Sequence, residues 1–250
     1  MDSKNGKLLN QSGVSRRLFL KGGALAALMP LGGVASWAAD GAAPDSPAPN
    51  FVVPNAIAPS EALRRLSEGN ARYVAGTMNP RDFSSGRAAR AKVQHPIASI
   101  LSCADSRVAP ELAFDQGPGD LFVARVAGNI VTPGLLASLE YSVEFLGVPL
   151  VMVLGHTACG AVDAAVKVVK DQAVLPGHLP ELVAQIEPAV ERAAKMSSGS
   201  LLANACEENV RGQVAALKKA SPIIAESYAA GKIDIVGAIY DLPTGRVKPV

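Results

Sequence analysis

The chain has 250 residues, of which 49% are hydrophobic and 18% are charged, and its formal net charge is +2 at pH 7. The positive charge comes from the N-terminus, because residues 1–38 hold five of the 24 Lys and Arg side chains and one of the 22 Asp and Glu side chains. The remaining residues carry 19 basic and 21 acidic side chains, a formal net charge of −2. This balance gives no support for nucleic acid or an anionic membrane surface as a partner.

The first 38 residues have the pattern of an export signal. Ser15-Arg-Arg-Leu-Phe-Leu-Lys21 matches a twin-arginine signal, and a modest apolar run from Gly22 to Val34 follows it. Glycines and Pro30 interrupt this run, which indicates a signal segment and not a membrane span. We predict cleavage after Ala38 and export of the folded protein to the periplasm or the medium, with no stable membrane anchor.

The residues after the signal fall into two parts. Residues 39–59 are rich in Pro and Ala, which is typical of a linker or an extended arm. Residues 60–250 suit one α/β domain with a core of its own. Helices are predicted at about 60–75, 133–146, 159–170, 180–196 and 200–220, and strands at 97–102, 121–126, 150–154, 233–240 and 246–249. Strands that alternate with helices predict a central, mainly parallel β-sheet flanked by helices, with the last strand as a short hairpin partner.

Two short segments in this domain carry metal-binding side chains. Cys103-Ala-Asp-Ser-Arg107 follows the first predicted strand, and His156-Thr-Ala-Cys159 follows the third. Because ligands of open α/β sheets collect at the carboxyl ends of the strands, we expect the two segments to meet. Two cysteines and one histidine are three zinc ligands with a fourth position left open, which is typical of catalytic sites, whereas structural sites have four protein ligands. The residues therefore predict a zinc hydratase or hydrolase.

Asp105 and Arg107 lie beside the first of these cysteines. If the chain stays extended after Cys103, all three side chains point the same way. Asp105 can then accept a hydrogen bond from zinc-bound water while Arg107 holds its carboxylate through two hydrogen bonds. In the alternative, Asp105 is itself the fourth ligand and closes the site. Cys159 is predicted at a helix N-terminus, where the helix dipole favours the thiolate.

With these residues, the chain resembles the β-class carbonic anhydrases. The resemblance rests on three blocks in the same order and at similar spacing, Gln94–Val108, Gly119–Asn129 and Gly155–Ala161, and on the helix-like segment Glu61–Asn70. It extends from about residue 60 to the end of the chain. Three blocks in order are far more specific than a single motif.

The resemblance implies one zinc ion per chain, a catalytic pair beside it, and a pocket that a second subunit completes, so that a homodimer or a larger homo-oligomer is expected. The implied residues are the zinc ligands Cys103, His156 and Cys159, the catalytic pair Asp105 and Arg107, and the pocket positions Gln94, Phe122 and Gly160. The implied partners are carbon dioxide and bicarbonate. Gly160 is expected to act through its backbone amide, which faces bound anions.

The implied reaction is the reversible hydration of carbon dioxide to bicarbonate and a proton. Zinc lowers the pKa of bound water from about 15.7 towards about 7, which supplies hydroxide near neutral pH. Bicarbonate-inhibited members of the family carry Trp three residues before the first zinc cysteine, and this chain has Ile100 there. The resemblance therefore favours an open site with water as the fourth ligand. Val126, where the family often has Asn, is taken as tolerated variation.

Other functions are compatible with the same residues. Relatives on this scaffold hydrolyse carbonyl sulfide or carbon disulfide, and no residue named above excludes that reaction. A zinc-binding protein without turnover is disfavoured by the intact catalytic pair. A cysteine-nucleophile hydrolase is disfavoured because it leaves Cys103 without a role. Cys206 has no partner at ligand spacing and is predicted to be an ordinary thiol of the core or surface.

Overall fold

A five-stranded sheet in the order β2-β1-β3-β4-β5 forms the centre of the protein. The structure is a computed structural model that describes residues 57–220 and 222–250, so the predicted export signal and nearly all of the predicted arm lie outside the described residues. The strands are β1 (Ala98–Ser102), β2 (Leu121–Arg125), β3 (Leu150–His156), β4 (Asp234–Tyr240) and β5 (Val247–Pro249). The first four are parallel and β5 runs antiparallel to β4, which confirms the predicted fold class and the hairpin.

Helices cover both faces of this sheet. They are α1 (Pro59–Ala75), α2 (Arg87–Arg90), α3 (Pro110–Ala113), α4 (Pro133–Glu144), α5 (Gly160–Asp171), α6 (Leu179–Ala184), α7 (Glu187–Ala193), α8 (Leu201–Leu217) and α9 (Ile223–Ala229). Side chains alternate between the two faces, as in any strand. Leu101 and Val153 join the core that includes α5, α7 and α8, whereas Ile100 and Met152 join the core formed with α1 and α3. Every residue of β1 and β3 is buried, as expected for interior parallel strands.

The predicted helix at 180–196 is wrong as a single element. It is divided into α6 and α7 at Gln185 and Ile186. Pro188 has no N–H to donate to the carbonyl four residues earlier, and its ring opposes a continuing helix, so it lies in the first turn of α7 instead. Three short helices, α2, α3 and α9, were not predicted, because four to seven residues carry little helical periodicity.

The third strand is longer than the predicted 150–154. It continues through Gly155 and His156, which pair with Ile239 and Tyr240 of β4. His156 is therefore part of the sheet rather than of the loop after it. No helix within residues 57–220 and 222–250 is long and apolar enough to cross a membrane.

A charge cluster around a buried carboxylate joins α1 to the segment that follows α3. Asp115, which follows α3, accepts hydrogen bonds from Arg72 Nε at 2.6 Å and from Asn79 N and Nδ2 at 3.2 and 3.0 Å. The Arg81 guanidinium also donates to this carboxylate. We call these four residues the Asp115 cluster. The Asp115 side chain is fully buried, and the two half-buried arginines supply the positive charge and hydrogen bonds that a buried carboxylate requires.

Candidate metal centre

Cys103, His156 and Cys159 meet at the carboxyl edge of the sheet. Cys103 directly follows β1, His156 ends β3, and Cys159 is the N-cap of α5. Because β1 and β3 are adjacent and parallel, their ends deliver these residues to one place. The three ligand atoms lie within 4.8 Å of one another, and all three side chains are buried.

The two sulfurs have the spacing that a tetrahedral metal needs. Cys103 Sγ lies 3.9 Å from Cys159 Sγ. Two Zn–S bonds of about 2.3 Å at the tetrahedral angle place the sulfurs about 3.8 Å apart. A disulfide would require about 2.05 Å, and both cysteines are free thiols. The donor set therefore fits zinc without rearrangement of the two cysteines.

One nitrogen of the His156 imidazole is hydrogen-bonded and the other is not. Nδ1 lies 2.9 Å from the carbonyl oxygen of Thr157, and since a carbonyl only accepts, Nδ1 carries the proton. Nε2 then presents a lone pair, yet it is buried and has no hydrogen-bond partner among the described residues. An unsatisfied buried polar atom costs about 1–3 kcal/mol, so such an atom indicates a place for a water or an ion. A backbone carbonyl on the other nitrogen is also the usual support of a metal-binding histidine.

The two thiols share one ionisation. The hydrogen bond between them lowers the pKa of Cys103 to about 4 and raises the pKa of Cys159. Burial opposes a charge on His156, but the negative charge of the neighbouring Cys103 thiolate outweighs it, and the pKa of His156 is raised. Gly128 N–H also donates to Cys103 Sγ at 3.3 Å. A divalent cation would balance both thiolates in this buried site.

Asp105 and Arg107 form a close ion pair beside the ligands. Arg107 Nε donates to Asp105 Oδ1 at 2.9 Å and Arg107 Nη2 donates to Oδ2 at 2.7 Å. This bonding lowers the pKa of Asp105 well below the ordinary value of a carboxyl group. Asp105 Oδ2 lies 3.8 Å from His156 Nε2, so the carboxylate borders the same space as the ligands.

The expected extended chain after Cys103 is wrong, although the expected contact is present. Val108 N–H donates to the carbonyl oxygen of Asp105 at 3.0 Å, which closes a turn. Within this turn Arg107 N–H donates to Asp105 Oδ1 at 2.9 Å. The turn, and not the alternation of an extended strand, brings the two side chains together.

Arg125 organises this turn, a role that the sequence did not predict. Its Nε donates to the carbonyl oxygen of Cys103 at 3.0 Å, and its Nη2 donates to those of Asp105 and Val108, both at 2.7 Å. One guanidinium thus holds three backbone carbonyls of the segment that carries the first ligand. The one signal in the sequence is that Arg125 ends the strand next to β1.

The three predicted pocket positions lie on different parts of the fold. Phe122 is half-buried on β2, and its ring centroid lies 6.4 Å from that of Tyr141. Gly160 begins α5, where an added Cβ would meet no atom within 4 Å, so the helix start is open to a small anion. Gln94 is exposed and lines a cavity of about 500 Å³ together with Arg90, and none of the three metal ligands lines that cavity.

Comparisons with known proteins agree with this arrangement. Residues 98–247, more than half of the chain, match the family model for carbonic anhydrase. The chain belongs to the carbonic anhydrase family. Carbonic anhydrase 2 of Mycobacterium tuberculosis is 41% identical over 189 residues, which cover 75% of this chain and 91% of that protein.

Two solved structures place the enzyme in the β class. The β-carbonic anhydrase CcaA is 29% identical, with a TM-score of 0.57, over 75% of this chain and 94% of that one. The Coccomyxa β-carbonic anhydrase, solved in complex with acetazolamide, is 28% identical with a TM-score of 0.58, over 76% of this chain and 85% of that one. The predicted family and fold are confirmed, and the enzyme catalyses the hydration of carbon dioxide.

Proposed function

We propose that this carbonic anhydrase works with one zinc ion held by Cys103, His156 and Cys159, as an exported homodimer or larger homo-oligomer. The observation that carries the metal assignment is the unpartnered His156 Nε2 beside two free thiols 3.9 Å apart. Sulfur and imidazole ligands suit zinc, whereas magnesium and calcium prefer oxygen. When bound, zinc would lower the pKa of water to about 7 and so supply hydroxide at neutral pH.

Asp105 would orient the attacking water. Because its pKa is held low, the carboxylate stays ionised at neutral pH and only accepts hydrogen bonds. Oδ2 faces the space next to His156 Nε2, where it can hold the O–H group of a water and direct its oxygen at carbon dioxide. Arg107 occupies both carboxylate oxygens, which supports water rather than Asp105 as the fourth ligand.

Phe122 and Gly160 would hold the substrate and the product. The ring of Phe122 offers an apolar wall for carbon dioxide. The first turn of α5 offers backbone N–H groups and the positive end of a helix dipole, which favour the bicarbonate anion. The proton released in the reaction passes to buffer.

A second subunit would complete the pocket. The outer edge of β2 has no strand partner among the described residues. Beside it, Tyr141 and Phe145 are 47% and 41% exposed, with ring centroids 5.3 Å apart. Such an apolar edge is usually covered. A second copy that covers this edge could also bring its own Gln94 towards the metal ligands, none of which lines the cavity beside Gln94 in the described chain.

Export through the twin-arginine pathway would protect the site. The two thiols lie close enough to be joined after a small movement, and an oxidising periplasm favours disulfides. Export of the folded protein lets zinc bind first. Replacing Arg16 and Arg17 together by Lys should leave the protein in the cytoplasm on cell fractionation. Recovery of this double variant from the periplasm would contradict this part of the proposal. Wild-type periplasmic protein that contains a Cys103–Cys159 disulfide and no zinc would contradict it as well.

The deciding experiment is stopped-flow hydration of carbon dioxide by the chain from Ala39 onward, with zinc measured on the same sample. We expect about one zinc per chain and fast hydration that rises with pH. Full zinc without hydration would overturn the proposal, and turnover of carbonyl sulfide or carbon disulfide by that sample would identify the alternative substrate.

A further inference from the structure

The thiolate of Cys103 is contacted by a loop that two amide side chains hold in place. The loop follows β2, comprises residues 126–131, and is called here the amide loop. At its centre, Gly128 N–H donates to Cys103 Sγ at 3.3 Å. Gly128 has φ of 73°, and an added Cβ would lie 2.6 Å from Ile186 Cδ1. Both the left-handed backbone and the lack of space require glycine here.

Asn209 and Gln213, one turn apart on α8, bind this loop at two points. Asn209 Nδ2 donates to the carbonyl oxygen of Gly128 at 2.8 Å. Gln213 Oε1 accepts from Val131 N–H at 2.8 Å, and Gln213 Nε2 donates to Asn209 Oδ1 at 3.3 Å. Asn209 is 1% exposed, so no solvent replaces its contact with the loop. The chain of hydrogen bonds runs from α8 through Gly128 to the sulfur.

We infer that Asn209 and Gln213 are positioning residues for the metal centre, which aim the Gly128 amide at the Cys103 thiolate and thereby slow the loss of zinc. The inference rests on the proposed function, since it takes Cys103 as a zinc ligand. An N–H donor stabilises thiolate charge and fixes the direction of the sulfur. Outer partners of this kind typically change metal affinity about 10- to 100-fold.

The chain offers a matched control in Asn70. This residue is also a buried asparagine, 7% exposed, whose Nδ2 donates to backbone carbonyls, those of Ala113 and Gly245, at 2.9 and 2.8 Å. It lies on α1, and its side-chain hydrogen bonds in the described structure go to Ala113, Gly245 and Val247 and not to the three metal ligands. Asn70→Ala should therefore destabilise the fold without disturbing the thiolate. Asn209→Ala should destabilise the fold and also disturb the thiolate.

The test measures transfer of zinc from the loaded protein to an excess of a coloured chelator. We expect Asn209→Ala to release zinc at least about tenfold faster than wild type, and Asn70→Ala to release it at the wild-type rate. In the cobalt-substituted proteins, the sulfur-to-cobalt absorption band should change in Asn209→Ala and not in Asn70→Ala. Neither readout requires turnover of carbon dioxide.

A wild-type release rate and an unchanged cobalt spectrum in Asn209→Ala would overturn the inference. If that variant does not fold, Gln213→Glu replaces it, because Glu keeps the acceptor for Val131 N–H and loses the donor to Asn209. A faster release by a few fold then supports the inference, and an unchanged rate overturns it. If wild-type protein takes up no zinc, the proposed function has failed instead.

Discussion

The metal centre and the Asp115 cluster both contain buried ionisable side chains, but they differ in how completely the polar atoms of these side chains are hydrogen-bonded. In the Asp115 cluster the carboxylate accepts from two arginines and from Asn79. At the metal centre, His156 Nε2 has no hydrogen-bond partner among the described residues, and two thiols face each other. A cluster that only stabilises the fold satisfies its own polar groups, whereas a cluster that binds a ligand leaves donor atoms for it.

The largest effect is expected from removing one of those donor atoms. Cys103→Ser replaces a thiolate by a hydroxyl that stays neutral at pH 7, so only two good ligands are left for zinc. We expect zinc content and carbon dioxide hydration to fall to background while the fold, measured by circular dichroism, is kept. A full complement of zinc in this variant would show that Cys103 is not a ligand.

The matching change in the other cluster should affect stability instead. Asp115→Asn removes the buried carboxylate from two half-buried arginines, which should lower the free energy of unfolding by about 1–3 kcal/mol at pH 7. Zinc content per folded chain should not change. Urea unfolding followed by fluorescence or circular dichroism measures the difference, and equal stability of the two proteins would contradict the assigned role.

Acid should remove this difference. Burial opposes the charge on Asp115, but Arg72 and Arg81 outweigh it and lower the pKa in the folded protein. A lowered pKa means that the contribution to stability is present above the unfolded value of about 3.9 and is lost as the pH falls through the folded pKa. Wild type and Asp115→Asn should therefore converge in stability below about pH 4. A gap that widens in acid would contradict the assigned direction of the pKa shift.

A smaller effect is expected from Asp105→Asn, which borders the metal centre without supplying one of its three ligands. Zinc content should stay near one per chain, because the ligand atoms are unchanged. The amide no longer acts purely as an acceptor, so kcat/KM for hydration should fall about 10- to 100-fold. Stopped-flow rates normalised to zinc test this. An unchanged rate would remove Asp105 from the mechanism.

The smallest effect is expected at Cys206, the third buried thiol. Burial raises the pKa of Cys206 to about 11, so it stays protonated at neutral pH and is a poor metal ligand. Cys206→Ala should cost about 1 kcal/mol of stability and leave zinc content and hydration unchanged. Loss of zinc in this variant would mean that Cys206 belongs to the metal centre after all.

The sequence predicted that Cys103, His156 and Cys159 meet, but it did not predict the residues that support them. Two cysteines and a histidine after predicted strands have specific chemistry, so their meeting could be expected from the residues alone. Arg125 and Asn209 donate hydrogen bonds to backbone carbonyl oxygens. Every residue has such an oxygen, so the sequence does not indicate which one is bound. The roles of these two residues depend on which loop lies within about 3 Å of their side-chain nitrogens, and only the fold determines that.

The errors in the predicted elements have a similar cause. Apolar residues recur at helical spacing through residues 180–196, so the pattern predicts one helix, whereas in the structure the segment is two helices, with Pro188 in the first turn of the second. The Asp105–Arg107 contact was expected from an extended chain and arises from a turn, because a spacing of two residues suits both conformations. A correct pairing can therefore follow from a wrong local geometry.

The support of His156 extends to the turn after β4. The Thr157 carbonyl that orients the imidazole belongs to a residue whose N–H donates to the Tyr240 carbonyl at 3.0 Å and whose Oγ1 accepts from Leu242 N–H at 3.0 Å. The connection between β4 and β5 thus supports His156, a proposed zinc ligand, through Thr157 alone. For protein engineering, this turn is a place to adjust zinc affinity from a distance. Substitutions at Leu242 and its neighbours should change the affinity while every catalytic side chain stays the same.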